Sequence, residues 1–148
     1  MKLFIDADAC PVKDELRKLA KKYDLSLTFV ASYNHFSINL PPGEEWIFVD
    51  TDKESADIRI LNLAKSGDIV VTQDIGLASM LIAKDVAAFS NRGEEYHESE
   101  MAMMLDMRYL HAKERRQGKY SKGPRAMSFQ DNENFLQRLD TFIEVRLY

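Results

Sequence analysis

Short apolar runs alternate with stretches of helical spacing along most of this chain. Leu3-Phe4-Ile5 reads as a strand over 2–5 that stops at Asp6. Pro11 suits a first helical turn, where its missing N–H costs nothing. Val12, Leu16, Leu19 and Ala20 then recur at helical intervals to about Lys22. Leu25 to Val30 alternates as a second strand, Ser32 to Gly43 is a loop holding Pro41-Pro42-Gly43, and Trp46 to Val49 is a third strand. Glu54 to Lys65 carries a helical pattern, closed by Gly67 in the usual C-terminal position. Ile69-Val70-Val71-Thr72 is a continuous β-branched run, the mark of a strand buried on both faces. Leu77 to Lys84 is a short helix and Ala87 to Ser90 a further strand. Strands alternating with helices predict an α/β fold with a mostly parallel sheet.

The last third changes character. Glu98 to Arg116 reads as one long helix, with Met101, Met104, Leu105, Arg108 and the Tyr109-Leu110 pair along it. Gly118 to Pro124 is a polar, basic loop, and Asn132 to Ile143 a final amphipathic helix. The expectation is one domain over 1–148, with an α/β core over 1–95 and a helical C-terminal extension over 96–148 that includes the basic loop.

The pattern also locates chemistry. In a parallel sheet, strands that begin at one edge end together at the other. Ligands of open α/β sheets gather at that C-terminal edge. Asp6 and Asp8 follow the first strand, Asp74 follows Ile69–Thr72, and Glu54 and Asp57 share a face at the start of their helix. Carboxylates brought together repel unless a cation or proton relieves them. With no nearby His or Cys set, oxygen donors suit Mg²⁺ or Mn²⁺ rather than zinc. Each acid also has an architectural use: Asp8 as a cap for the helix at Pro11, Asp74 as a cap for the helix near Leu77, and Glu54 and Asp57 at a helix's positive end. Three separate segments delivering acids to one edge favour a metal site. Thr72 and Ser32 are placed to hydrogen-bond near it. His35, His97 and His111 lack metal-ligand spacing, and Cys10 has no partner base.

Composition narrows the classes further. Hydrophobic content of 45% and charged content of 30% are those of an ordinary globular domain. No run is long enough to span a membrane, the start of the chain does not read as a secretory signal, and one cysteine makes no internal disulfide, so the expected location is the cytoplasm. The net charge of −4 hides a local excess, since Arg108 to Arg125 holds seven Lys and Arg against Glu114. Arg115, Arg116, Lys119 and Lys122 could therefore guide a phosphate backbone despite the overall sign, or form a solvated face. Lys13, just inside the first helix, and Arg92, in the Arg92-Gly93 turn, are further anion candidates.

Asp6-Ala7-Asp8-Ala9-Cys10-Pro11, Glu54-Ser55-Ala56-Asp57, Gly67 to Ile75, Asn91-Arg92-Gly93 and Gly123-Pro124 together resemble the YaiI/YqxD family of bacterial proteins. The resemblance covers nearly the whole chain. That family looks like a branch of the PIN-like nuclease superfamily, which implies a PIN-like three-layer fold, strand-end acids for Mg²⁺ or Mn²⁺, and RNA as the partner cut. It makes Asp6 the first metal ligand, Asp74 the acid of a Thr-x-Asp motif, and Asp57 or Glu54 the middle acid. Related sequences often carry Asp where Glu54 stands. The expected function is a divalent-metal-dependent phosphodiesterase, a ribonuclease first, with Asp6, Asp57 and Asp74 catalytic and Asp8 and Glu54 as further ligands. One alternative is a non-catalytic metal- or nucleic-acid-binding module of the same fold. Another is a small-substrate phosphatase, because Asp6-x-Asp8 superficially resembles the nucleophile and acid of haloacid-dehalogenase-like enzymes.

Overall fold

In β1 (Lys2–Asp6), Leu3 and Ile5 enter one core and Phe4 the other, the division that a strand's two-residue period imposes. The same sorting holds in β2 (Ser26–Ser32), where Phe29 and Val30 part, and in β4 (Ile69–Val71), where Val70 faces away from its neighbours. The computed structural model describes residues 1–36, 39–50, 55–119 and 125–148. With β3 (Glu45–Val49) and β5 (Ala87–Phe89), these strands make a five-stranded sheet in the order β3-β2-β1-β4-β5, and every pairing is parallel.

Helices cover both faces. On one lie α1 (Lys13–Tyr23) and α5 (Phe129–Leu147), packing Leu16, Leu19, Phe135, Leu139 and Ile143 against Leu3, Ile5 and Phe29. On the other lie α2 (Ala56–Leu63), α3 (Ile75–Ala83) and α4 (Glu98–Arg116), which supply Ile60, Leu77, Ala78, Leu81 and Met101. The result is the α/β architecture the sequence predicts, with the helical last third built into it. Phe135, Leu139 and Ile143 are fully buried, each contributing roughly 1.5–3 kcal/mol of apolar burial. The two terminal helices therefore complete the helical layers, one on each face. Ser128 opens α5 with a capping box: its hydroxyl accepts from Asp131 N–H at 3.1 Å, while Asp131 Oδ2 accepts from Ser128 N–H at 3.0 Å.

Some boundaries differ from expectation for local reasons. The helix after β4 starts at Ile75 rather than Leu77, because Asp74 caps it by accepting from Leu77 N–H. Ahead of β4, α2 ends at Leu63, so Gly67 (φ +91°) serves the turn into the strand rather than the helix end. The chain fills one half of the sheet through β1, β2 and β3, then crosses to the other through β4 and β5. The direction of winding thus reverses between β1 and β4. Their C-terminal ends flank the crevice where doubly wound sheets bind ligands.

Candidate functional site

Thr72, buried at the end of β4, links the two strands at that crevice. Its hydroxyl donates to Asp6 Oδ2 at 3.2 Å and accepts from Asp74 N–H at 3.0 Å. The buried Tyr96 hydroxyl in turn donates to the Thr72 carbonyl at 3.1 Å. Burial, with Glu94 and Asp74 nearby, pushes that phenol up to about 12, so it stays a proton donor. Asp6 is thereby held at the end of β1 by a threonine that is itself anchored.

Around Asp6 stand three of the predicted acids. Burial raises its carboxyl above the ordinary value against the Thr72 hydrogen bond, and the charges of Asp8, Asp74 and Asp57 add to the rise. Asp8 lies in a 3₁₀ turn (Ala7–Ala9) directly after β1. It does not cap the helix after Pro11. The N-cap of α1 is Val12, without a side-chain bond. Both Asp8 oxygens instead accept from Ser32 N–H, at 3.0 and 3.2 Å, and the Ser32 hydroxyl lies 3.4 Å from one of them. Strand pairing explains this, since Asp6 is in register with Val30 and Asp8 thereby comes to the end of β2. Asp57 sits in the first turn of α2, bonded by the Ser55 hydroxyl and by Ile58 N–H at 2.9 Å. Glu54 lies outside the described residues.

Asp74 both caps α3 and receives a cation. Arg108 Nη1, reaching across from α4, stands 3.5 Å from Asp74 Oδ1. Gly76 leaves room for it: a Cβ there would come within 3.0 Å of Arg108 Nη1 and 3.2 Å of Asp74 Oδ1. Arg108 is a residue the sequence reading left out of the site. Its signal was present, because it falls in the Met101, Met104, Leu105 register and a charge on a packed face wants a partner.

The predicted cations divide. Lys13 is half-buried and donates to the Cys10 carbonyl at 3.2 Å. Arg92 reaches the Arg125 carbonyl at 2.7 Å and pairs with Asp131 at 3.0 Å. Arg115, Arg116 and Lys119 are exposed at the far end of α4. Arg115 stands two turns beyond Arg108, about 10 Å along the axis, so these three do not join the acids. Lys122 lies outside the described residues. Among the described residues, no group of three or more His, Cys, Asp or Glu side chains is arranged to hold a metal ion. No described helix is long and apolar enough to cross a membrane.

A parallel α/β fold with a carboxylate pole at its switch point defines the class. The particular family follows from comparison with known sequences. The chain belongs to the bacterial family described as uncharacterized BCR, YaiI/YqxD family, whose profile matches residues 4–145. UPF0178 protein Lmo1456 of Listeria monocytogenes is 65% identical over 142 residues, covering 96% of this chain and 95% of its own. UPF0178 protein OB0454 of Oceanobacillus iheyensis is 46% identical over 138 residues, covering 93% and 94%. A Bacillus pumilus UPF0178 protein is 44% identical over 141 residues, covering 95% and 85%. No solved structure matches. Neither the family description nor these names assign a reaction.

Proposed function

We propose that this protein is a divalent-metal-dependent phosphodiesterase that cuts RNA. The observation that carries the reading is the Thr72 bridge, which fixes Asp6 and the start of the Asp74 segment together at the β1–β4 switch point, within the field of Asp8 and Asp57. An acidic pole at the ligand crevice of a parallel sheet is suited to a cation and to a substrate the cation can neutralise.

The donor chemistry fits Mg²⁺ or Mn²⁺ in a particular way. Every donor at the pole is a carboxylate oxygen. An all-protein cage does not fit, because Ser32 occupies Asp8, Leu77 N–H and Arg108 occupy one Asp74 oxygen, and no three described donors converge. The mode that fits uses one or two carboxylates, with water and substrate oxygens completing the shell. Asp6 would hold the ion, seconded by Asp74 or Asp57. When bound, the ion supplies Lewis acidity at a phosphoryl oxygen and acidifies water.

The chain's own residues do the rest. Thr72 fixes the rotamer of Asp6, and Tyr96 fixes Thr72. Arg108 stands at the rim of the pole, where a guanidinium can offset charge gathering on a phosphoryl group. Lys13, which lines a cavity together with Asp8, offers an ammonium to a neighbouring phosphate.

Incubation of the purified protein with a 5′-labelled single-stranded RNA and Mn²⁺ tests the reading. Cleavage is expected, and Asp6→Asn should abolish it while circular dichroism stays unchanged. No cleavage of any RNA in Mg²⁺ or Mn²⁺ refutes it.

A further inference from the structure

Beside the acidic pole lies a cavity of about 430 Å³, walled by Asp8, Lys13, Gln73, Arg92 and Arg125 and lined on its apolar side by Pro11 and Met127. We propose that it is a subsite for one unpaired nucleotide, gripping its phosphate on the Lys13 and Gln73 side and its sugar and base on the apolar side. The assignment rests on the phosphodiesterase reading for its place in a longer substrate, but its binding chemistry stands by itself.

Three observations support an anionic, amphipathic ligand. Lys13 is half-buried, and among the described residues its ammonium has a carbonyl rather than a carboxylate as its hydrogen-bond partner. A partly desolvated ammonium that makes no ion pair among the described residues can take an anion, with Asp8 as the one acid among the cavity's lining residues. Next, Arg92 and Arg125 share the single carboxylate of Asp131, at 3.0 and 2.6 Å, leaving one positive charge of the three groups uncompensated. Arg92 is also locked in place: it donates to the Arg125 carbonyl at 2.7 Å, while Arg138 donates to its own carbonyl at 3.1 Å. Finally, Gln73 Oε1 accepts from Asn91 N–H at 2.8 Å. That bond fixes which end of the amide faces Asn91, and the NH₂ is the donor that Gln73, as a lining residue, can offer a ligand.

Size and position narrow the ligand further. The volume is at the small end of pockets that enclose one organic ligand. It suits a single nucleotide unit and excludes a duplex. The lining combines the cations Lys13, Arg92 and Arg125 with the apolar Pro11, Ala126 and Met127, which favours a nucleotide over inorganic phosphate. Gln73 immediately precedes Asp74, and Asp8 borders both the cavity and the pole. A strand seated here presents its next phosphodiester to Asp6.

Calorimetry and amide NMR with uridine 5′-monophosphate, uridine and inorganic phosphate, all without divalent metal, test the assignment. The nucleotide should bind at least tenfold more tightly than either fragment, with shifts at Lys13, Gln73 and Arg92. Lys13→Gln and Gln73→Ala, each checked for an unchanged fold, should each weaken it severalfold, while Asp6→Asn should not. Nucleotide binding no tighter than phosphate, shifts away from the cavity, or variants that bind as wild type does would overturn the subsite. Nucleotide binding without RNA cleavage in Mn²⁺ retains the subsite and refutes the phosphodiesterase. Cleavage without nucleotide binding does the reverse.

Discussion

If the acidic pole holds a metal ion as proposed, Arg108 competes with it for Asp74, so Arg108→Gln should tighten metal binding. The guanidinium stands 3.5 Å from Asp74 Oδ1. At that distance two unit charges interact by about 1.2 kcal/mol in a water-like dielectric. A high dielectric is the right choice here, because 56% of the Arg108 side chain and 31% of the Asp74 side chain are exposed. Salt screening and side-chain freedom reduce the figure toward the usual worth of surface pairs. Removing the charge should therefore raise Mn²⁺ affinity by roughly two- to sevenfold at low ionic strength. Gly76→Ala reaches the same end by sterics. Its Cβ would stand 3.0 Å from Arg108 Nη1 and 3.2 Å from Asp74 Oδ1, and the flexible guanidinium gives way more readily than the capping carboxylate. Alanine also favours the helix over glycine by up to about 1 kcal/mol, so this variant should melt no lower than wild type. Isothermal titration with Mn²⁺ at low and high salt reads both effects, and the gain should fade as salt rises. An Arg108→Gln protein that binds Mn²⁺ no better than wild type at low salt refutes the competition.

Thr72→Val removes a buried hydroxyl that serves Asp6 and Asp74 N–H. It should cost about 2 kcal/mol, seen as a melting point lower by roughly 4–8 °C; a loss under 1 °C would show that the bridge contributes nothing. Leu139→Ala opens a cavity between α5 and the sheet, and urea unfolding should register a loss of about 3–5 kcal/mol, with less than 1 kcal/mol arguing against the packing of α5 into this core. The Arg125 hydrogen bonds, followed by Ser128 N–H, hold the Asp131 carboxyl well below the usual carboxylate range. A depressed folded value contributes stability above the unfolded pKa, near 3.9, and loses it as pH falls through the folded value. Asp131→Asn should consequently be less stable than wild type at pH 7, with the gap closing in acid. A gap independent of pH down to about 2 contradicts that linkage.

The strands and most helices were legible because burial writes a local pattern. Ile69 to Val71 could not be other than a strand covered on both faces, and the Phe135, Leu139, Ile143 spacing placed α5 against a core. What escaped depended on residues distant in sequence. The cap use considered for Asp8 came from rules that see only neighbours; its bond with Ser32, a residue expected near the carboxylates, comes through the β1–β2 pairing. Arg108 finds Asp74 only because α4 lies over α3. Asp6 and Asp74 were readable as strand-end acids, and the Thr72 bond between those ends matched the expectation that Thr72 serves the carboxylates. Arg115, Arg116 and Lys119 were read from charge alone as guides for a phosphate backbone, and charge does not say where along α4 they stand relative to the acids.

The position of α5 bears on how the protein is made. Leu3 and Ile5 are synthesised well before Phe135, Leu139 and Ile143, which close the core that they enter. Until then, Leu16, Leu19 and Phe89 have no cover on that side. Until α5 docks, that apolar face lacks the helix that covers it in the folded protein. Asp131, on the same helix, pairs with Arg92 and Arg125, so the cationic groups beside the acidic pole take their places only once α5 has docked.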